Sequence, residues 1–226
     1  MVAHASATAV RPARPAPFAG PLFNWSAFDA APLVREPFDF LIVPGFIGPA
    51  ALEALNRDFP AIEGPGNAAP EELDYGPAFA ALLDELDGDA LRDRFAAKFR
   101  LDLEGAEATI AVRRHCEATD GHIHTDHRAK LITVLLYFNE DWPHEGGRLR
   151  MLRSASDLDD YAAEVVPAGG NLLAFRRSDN SFHGHKRFVG ERRILQLSFA
   201  RPSMLVDAQR RIGRLTKPIR RLLNLS

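Results

Sequence analysis

Apolar residues recur along the chain in two rhythms. In the first half they fall at helical spacing. Ala51, Leu52 and Leu55 mark one face of a segment from Pro49 to Phe59, with proline in its first turn. A second helix is predicted near 77–86. A third, near 89–99, carries the stripe Phe95, Ala96 and Phe99, with Asp87 or Asp89 placed to cap it. Residues 37–46 (PFDFLIVPGF) predict a first strand that Pro44-Gly45 ends, and the Pro-, Gly-, Asn- and Ala-rich residues 60–72 predict a loop.

After Gly105 the rhythm shortens. Strands are predicted at Thr109–Cys116, Leu131–Phe138, Arg148–Leu152, Glu164–Val166, Asn171–Arg176, Ser181–Phe188 and Arg193–Ala200. Asp120-Gly121, Gly146-Gly147, the stretch 167–170 and Gly190 supply turns between most of them. Seven short strands at this spacing imply a sandwich or small barrel. Helices before and strands after make the fold class α+β, with the helices backing one sheet.

Both ends differ in texture. Residues 1–20, rich in Ala, Arg and Pro, read as a flexible lead-in, leaving one domain over 21–202 with helical support at 21–105 and a strand-rich core at 106–202. Residues 203–226 read as a basic amphipathic helix, with Ile212, Leu215, Ile219 and Leu222 at helical spacing and Pro218 as a bend. From Arg201 onward seven basic residues face the single acid Asp207. Such a tail is expected to dock on the domain, a peripheral membrane contact being the alternative.

Composition narrows the classes. The 226 residues are 46% hydrophobic and 26% charged, which suits a packed domain rather than a disordered chain. The formal net charge of -2 argues against a nucleic-acid module. Cys116 is the only cysteine, so neither an internal disulfide nor a cysteine zinc cluster can form. With no membrane-length apolar run and no secretory h-region in the N-terminal stretch, the expectation is a cytoplasmic protein.

The chemistry lies in the histidines. Six of the eight fall in two strand-rich patches, His115 to His127 and His183 to His185. On a strand, residues two apart share a face, so His124 and Asp126 converge on one ion. His183, 59 residues on, can complete a two-histidine, one-carboxylate set that leaves open positions on Fe(II) for a bidentate ligand and O2. Two alternatives stay open: a three-histidine zinc site from His122, His124 and His183, and His185 in place of His183. Arg192 follows His183 by nine residues and shares a strand face with Ile194, Gln196 and Ser198, while Arg193, Leu195, Leu197 and Phe199 take the other. A buried arginine needs an anion, and a dicarboxylate bound at one end to iron would offer its far carboxylate.

Taken in order, these residues resemble a known family. His124-Thr125-Asp126, then Tyr137-Phe138-Asn139-Glu140-Asp141-Trp142, Gly146-Gly147-Arg148-Leu149-Arg150, the strand from Pro167 through Gly170 to Phe175, His183 and Arg192 are similar to the iron(II)/2-oxoglutarate dioxygenases, prolyl 4-hydroxylase-like branch. The resemblance implies a double-stranded β-helix, or distorted jelly roll. It implies Fe(II) on His124, Asp126 and His183, with 2-oxoglutarate and O2 as cosubstrates and ascorbate as a candidate reductant. Arg192 would grip the distal carboxylate, Tyr137 would donate a hydrogen bond to it, and Thr133 would line that pocket. The implied reaction hydroxylates an unactivated C–H bond of peptidyl proline or a small molecule. Asp126, where a halogenase leaves room for halide, argues for hydroxylation. One departure is the run Gly184-His185-Lys186-Arg187-Phe188 after the distal histidine, where the family usually has an acid and Pro-Val. Its positive charge would suit an acidic or phosphorylated substrate. Competing readings are a non-catalytic jelly-roll binder and the zinc hydrolase.

Overall fold

The computed structural model describes residues 18–202. The predicted lead-in up to residue 17 and the predicted basic helix over 203–226 lie outside these residues. The elements in chain order are α1 (Trp25–Ala30), β1 (Phe40–Val43), α2 (Pro49–Arg57), a 3-10 turn (Pro70–Glu72), α3 (Pro77–Asp87), α4 (Asp89–Phe99), β2 (Glu107–Cys116), β3 (Lys130–Tyr137), β4 (Leu149–Leu152), β5 (Tyr161–Val165), β6 (Leu172–Arg176), β7 (His183–Gly184) and β8 (Gly190–Ala200). Among the described residues no helix is long and apolar enough to cross a membrane.

The strands form two antiparallel sheets. Five strands pair in the order β1-β6-β3-β8-β2 and three in the order β5-β4-β7. Strand alternation divides the five-stranded sheet into two apolar faces. Val134 and Leu136 of β3, Leu172 and Ala174 of β6, and Leu195, Leu197 and Phe199 of β8 pack against α2, α3 and α4 through Leu55, Phe79, Leu82 and Phe95. Leu135, Tyr137, Leu173, Phe175 and Ile194 point the other way and meet Leu149, Met151 and Val165 of the smaller sheet. The helices therefore seal one face, and the space between the sheets is left for a site.

Several elements differ from expectation. Asn24 starts an unanticipated helix, its Oδ1 accepting from the Ala27 N–H at 3.1 Å. That N-cap was readable, but α1 is only six residues long, too short for helical periodicity to register. Neither Asp87 nor Asp89 caps α4; Gly88 ends α3 and begins α4 with no side-chain cap. The strand predicted over Ser181–Phe188 shrinks to His183–Gly184. Its flanks still bond along β4 and its N-terminal extension, Leu152 N–H to the Phe182 carbonyl and Gly147 N–H to the Lys186 carbonyl.

Candidate metal and cosubstrate site

Three groups capable of holding a metal converge between the sheets. Ligand atoms of His124, Asp126 and His183 all lie within 4.8 Å of one another. The chain brings them together through a two-way backbone bridge: His124 N–H donates to the His183 carbonyl at 3.0 Å and His183 N–H to the His124 carbonyl at 2.9 Å. Each ring is oriented by a carbonyl two residues earlier. Nδ1 of His124 donates to the His122 carbonyl (2.8 Å) and Nδ1 of His183 to the Ser181 carbonyl (3.0 Å). Both Nε2 atoms are thereby left unprotonated as ligand atoms. His183 is buried, and burial pushes its pKa down to about 4, with Asp126 opposing the shift.

Asp126 is held at both oxygens. Lys130 Nζ approaches Oδ1 at 3.1 Å and Thr133 Oγ1 donates to Oδ2 at 2.5 Å. Burial raises its pKa, but the Lys130 charge and the Thr133 hydrogen bond outweigh that and keep the carboxyl below its usual range. His122, exposed, contributes only its backbone carbonyl to this cluster, so the structure groups Asp126, and not a third histidine, with His124 and His183. His185 is buried in the same cavity but stands outside the metal group. Its Nδ1 donates to the Lys186 carbonyl at 2.9 Å, and burial together with the Arg192 charge lowers its pKa to about 4.

A cavity of about 240 Å³ adjoins the triad. Leu135, Leu149, Phe175 and Ile194 give it apolar walls, and Arg192 enters it from β8. Arg192 is only 4% exposed, and no acid lies within ion-pair distance of it among the described residues. Its Nε donates to the Gly147 carbonyl at 2.9 Å, and its guanidinium sits 5.5 Å from the Tyr137 ring centre. The Tyr137 hydroxyl is fully buried and makes no hydrogen bond. Burial pushes its pKa up to about 12 against the opposing Arg192 charge, so it remains a proton donor. Arg193 projects to the opposite face, over the Phe59 ring, and pairs with Glu191 at 2.5 Å. The register shift of this strand pair falls in β8, where Arg192 and Arg193 together stand opposite Arg114, and Arg192 nevertheless lines the cavity with Ile194 and Gln196.

Other placements were less visible in sequence. Thr133 does line the cavity, but its hydroxyl serves Asp126 and not the Arg192–Tyr137 end. Four residues of strand separate it from Tyr137, about 13 Å, too far to share one carboxylate. The positive run after His183 is also largely spent internally, because His185 turns inward and Lys186 pairs with Asp159 at 2.8 Å. Trp142 proves to brace the cosubstrate end. Its Nε1 donates to the Gly146 carbonyl at 3.0 Å, and a Cβ on Gly147 (φ +75°) would lie 2.7 Å from Trp142 Cζ2. Only glycine fits there, and its carbonyl is the one that orients Arg192. Unanticipated polar lining comes from Arg113, held by Asp120 at 2.9 Å and by Asn67 at 3.1 Å, while Gln196 lines the cavity on the face expected of it.

These groups fit Fe(II) and 2-oxoglutarate. The triad offers two imidazoles and a carboxylate, and the buried guanidinium of Arg192 in the same cavity, with no acid partner, calls for an anion. Residues 109–200 match the family model of the 2OG-Fe(II) oxygenase superfamily. No curated protein matches the chain. Among solved structures, a Pseudomonas putida prolyl-4-hydroxylase is similar at 23% identity, over 73% of this chain and 93% of that one, with a TM-score of 0.51. A Trichoplax adhaerens prolyl hydroxylase, solved with a hypoxia inducible factor oxygen degradation domain peptide fragment, is similar at 17% identity, over 71% and 83%, with a TM-score of 0.50. A prolyl 4-hydroxylase from Phytophthora capsici is similar at 16% identity, over 73% and 59%, with a TM-score of 0.50. The fold is the double-stranded β-helix shared with these enzymes. Residues 109–200 are thus similar to the 2OG-Fe(II) oxygenase superfamily, whose enzymes use Fe(II), 2-oxoglutarate and O2, and the donor set of this cavity suits the same metal and cosubstrates.

Proposed function

We propose that the chain hydroxylates an unactivated C–H bond of a polar substrate, with Fe(II) held by His124, Asp126 and His183 and the distal carboxylate of 2-oxoglutarate held by Arg192 and Tyr137. The observation that carries this reading is the conjunction, in one cavity, of the triad with a buried arginine that has no acid partner. A binding protein without chemistry has no use for both. A zinc hydrolase has no use for Arg192.

When bound, iron and 2-oxoglutarate supply the oxidising chemistry, in which 2-oxoglutarate and O2 become succinate and CO2 and one oxygen atom enters the substrate C–H bond. The chain contributes positioning. The His122 and Ser181 carbonyls fix the Nε2 tautomers of His124 and His183. Thr133 holds Asp126 by its Oδ2, and in the metal-free protein Lys130 adds its charge to keep that carboxyl ionised. The Gly147 carbonyl aims Arg192, and Tyr137 stays protonated to donate. Leu135, Leu149, Phe175 and Ile194 exclude water around the cosubstrate. Arg113 with Asp120, Asn67 and Gln196 present a polar wall to the substrate.

The test is succinate formation. Purified protein with Fe(II) and 2-oxoglutarate is expected to make succinate slowly without substrate. A metabolite and peptide screen should then find a product heavier by one oxygen atom. Folded protein that makes no iron-dependent succinate under any condition would end this reading.

A further inference from the structure

A second pocket of about 430 Å³ opens at the ends of β3, β6 and β8. Arg128, Lys130, Arg176, Arg177 and Arg201 line it. Asp102 and Glu104 are the acids on its wall, and Asp102 Oδ1 is engaged by the Glu104 backbone N–H at 2.9 Å. Among the described residues neither Arg128 nor Arg201 has an acid within ion-pair distance, and Arg176 reaches Asp39 only at 4.0 Å. Arg177 is a fixed wall, held by Asp179 at 2.6 Å and by the Asp126 carbonyl at 3.3 Å. A concave site with this excess of cations selects a multiply charged oxyanion.

Lys130 belongs to both sites. It lines this pocket, yet its ammonium rests 3.1 Å from Oδ1 of Asp126. There it occupies a carboxylate that a divalent cation needs and places a positive charge next to the metal position. Its four-carbon stem is flexible and its three donors are not tied to one geometry.

We propose that the pocket binds a phosphate-type oxyanion, and that the anion draws Lys130 away from Asp126, so that anion and metal bind cooperatively. The proposal rests on the triad being a metal site. The anion could be free or carried on a phosphorylated polypeptide; the chemistry recognised is the same.

The experiment is a Mn(II) titration of the full chain read by electron paramagnetic resonance, in chloride and then in sulfate at equal ionic strength. Sulfate is expected to raise Mn(II) affinity about fivefold or more, a normal size for coupling between sites. In Arg128→Gln/Arg176→Gln the chloride affinity should be unchanged and the sulfate effect lost. Lys130→Met should bind Mn(II) more tightly in chloride and ignore sulfate. A phosphoserine tripeptide that reproduces the effect at a tenth of the sulfate concentration points to a polypeptide source; equal potency points to a free anion. An unresponsive wild type, or a sulfate effect that survives in either variant, overturns the proposal. Absence of Mn(II) binding by wild type in chloride would instead overturn the metal reading beneath it.

Discussion

Arg192→Met tests the cosubstrate reading most sharply, because it moves two quantities in different directions. The substitution keeps most of the buried volume and removes a charge that has no acid partner in the metal-free protein. A buried guanidinium without an anion is costly, so its loss should not destabilise the apoprotein by more than about 1 kcal/mol, the net worth of its bond to the Gly147 carbonyl. Binding of 2-oxoglutarate should suffer far more. Leaving a buried carboxylate without its charged partner costs about 3–5 kcal/mol. That corresponds to a loss of roughly two to four decades in affinity. Arg193→Met is the control. Its guanidinium lies on the other face in a partly exposed pair with Glu191, worth about 0–1 kcal/mol, and the cosubstrate should bind almost as before. Anaerobic calorimetry of the Fe(II)-loaded protein gives the affinities, and urea unfolding of the metal-free protein gives the stabilities. If Arg192→Met binds 2-oxoglutarate within threefold of wild type, or Arg193→Met loses as much as Arg192→Met, the anchor is misassigned.

The remaining predictions concern the metal, the bracing loop and pH. His124→Ala, Asp126→Ala and His183→Ala should each abolish Fe(II) binding in equilibrium dialysis, whereas His185→Ala should retain it; loss of iron in the His185 variant would reopen the ligand assignment. Gly147→Ala should destabilise the fold by about 1–3 kcal/mol, because a side chain at φ +75° is strained and meets Trp142. It should weaken 2-oxoglutarate binding while Fe(II) still binds, and equal losses of both ligands would indicate general damage. His183 and His185 are each held near pKa 4 in the folded state against about 6.5 unfolded, so the unfolded chain takes up protons first as pH falls. Metal-free stability should therefore decline from pH 6.5 toward pH 4 at up to about 1.4 kcal/mol per pH unit for each histidine. Urea midpoints that stay flat across that window would contradict the burial of these rings.

Strand alternation placed Arg192 with Ile194 and Gln196 on one face from sequence alone, whereas His124 and Asp126, expected to share a strand face, meet in a segment whose only strand-like pairing is the bridge from His124 to His183. The same alternation separated the helix-facing Leu195, Leu197 and Phe199 from the cavity-facing side of β8. Helices α2, α3 and α4 were legible because each carries an apolar stripe longer than a turn. Contacts between segments remote in sequence had no such signature. No local pattern shows that Gly147 lends its carbonyl to Arg192 across 45 residues, that Arg113 is tied to Asn67, or that β7 contracts to two residues. The hydroxyl of Thr133 and the ammonium of Lys130 were both within seven residues of Asp126, yet their use depended on how the chain turned between Asp126 and β3. Composition and periodicity set which faces are apolar and which residue types can bind. Only the closing of the two sheets on each other decided which polar groups meet, because a hydrogen bond or ion pair depends on angstrom-scale approach that pattern does not encode.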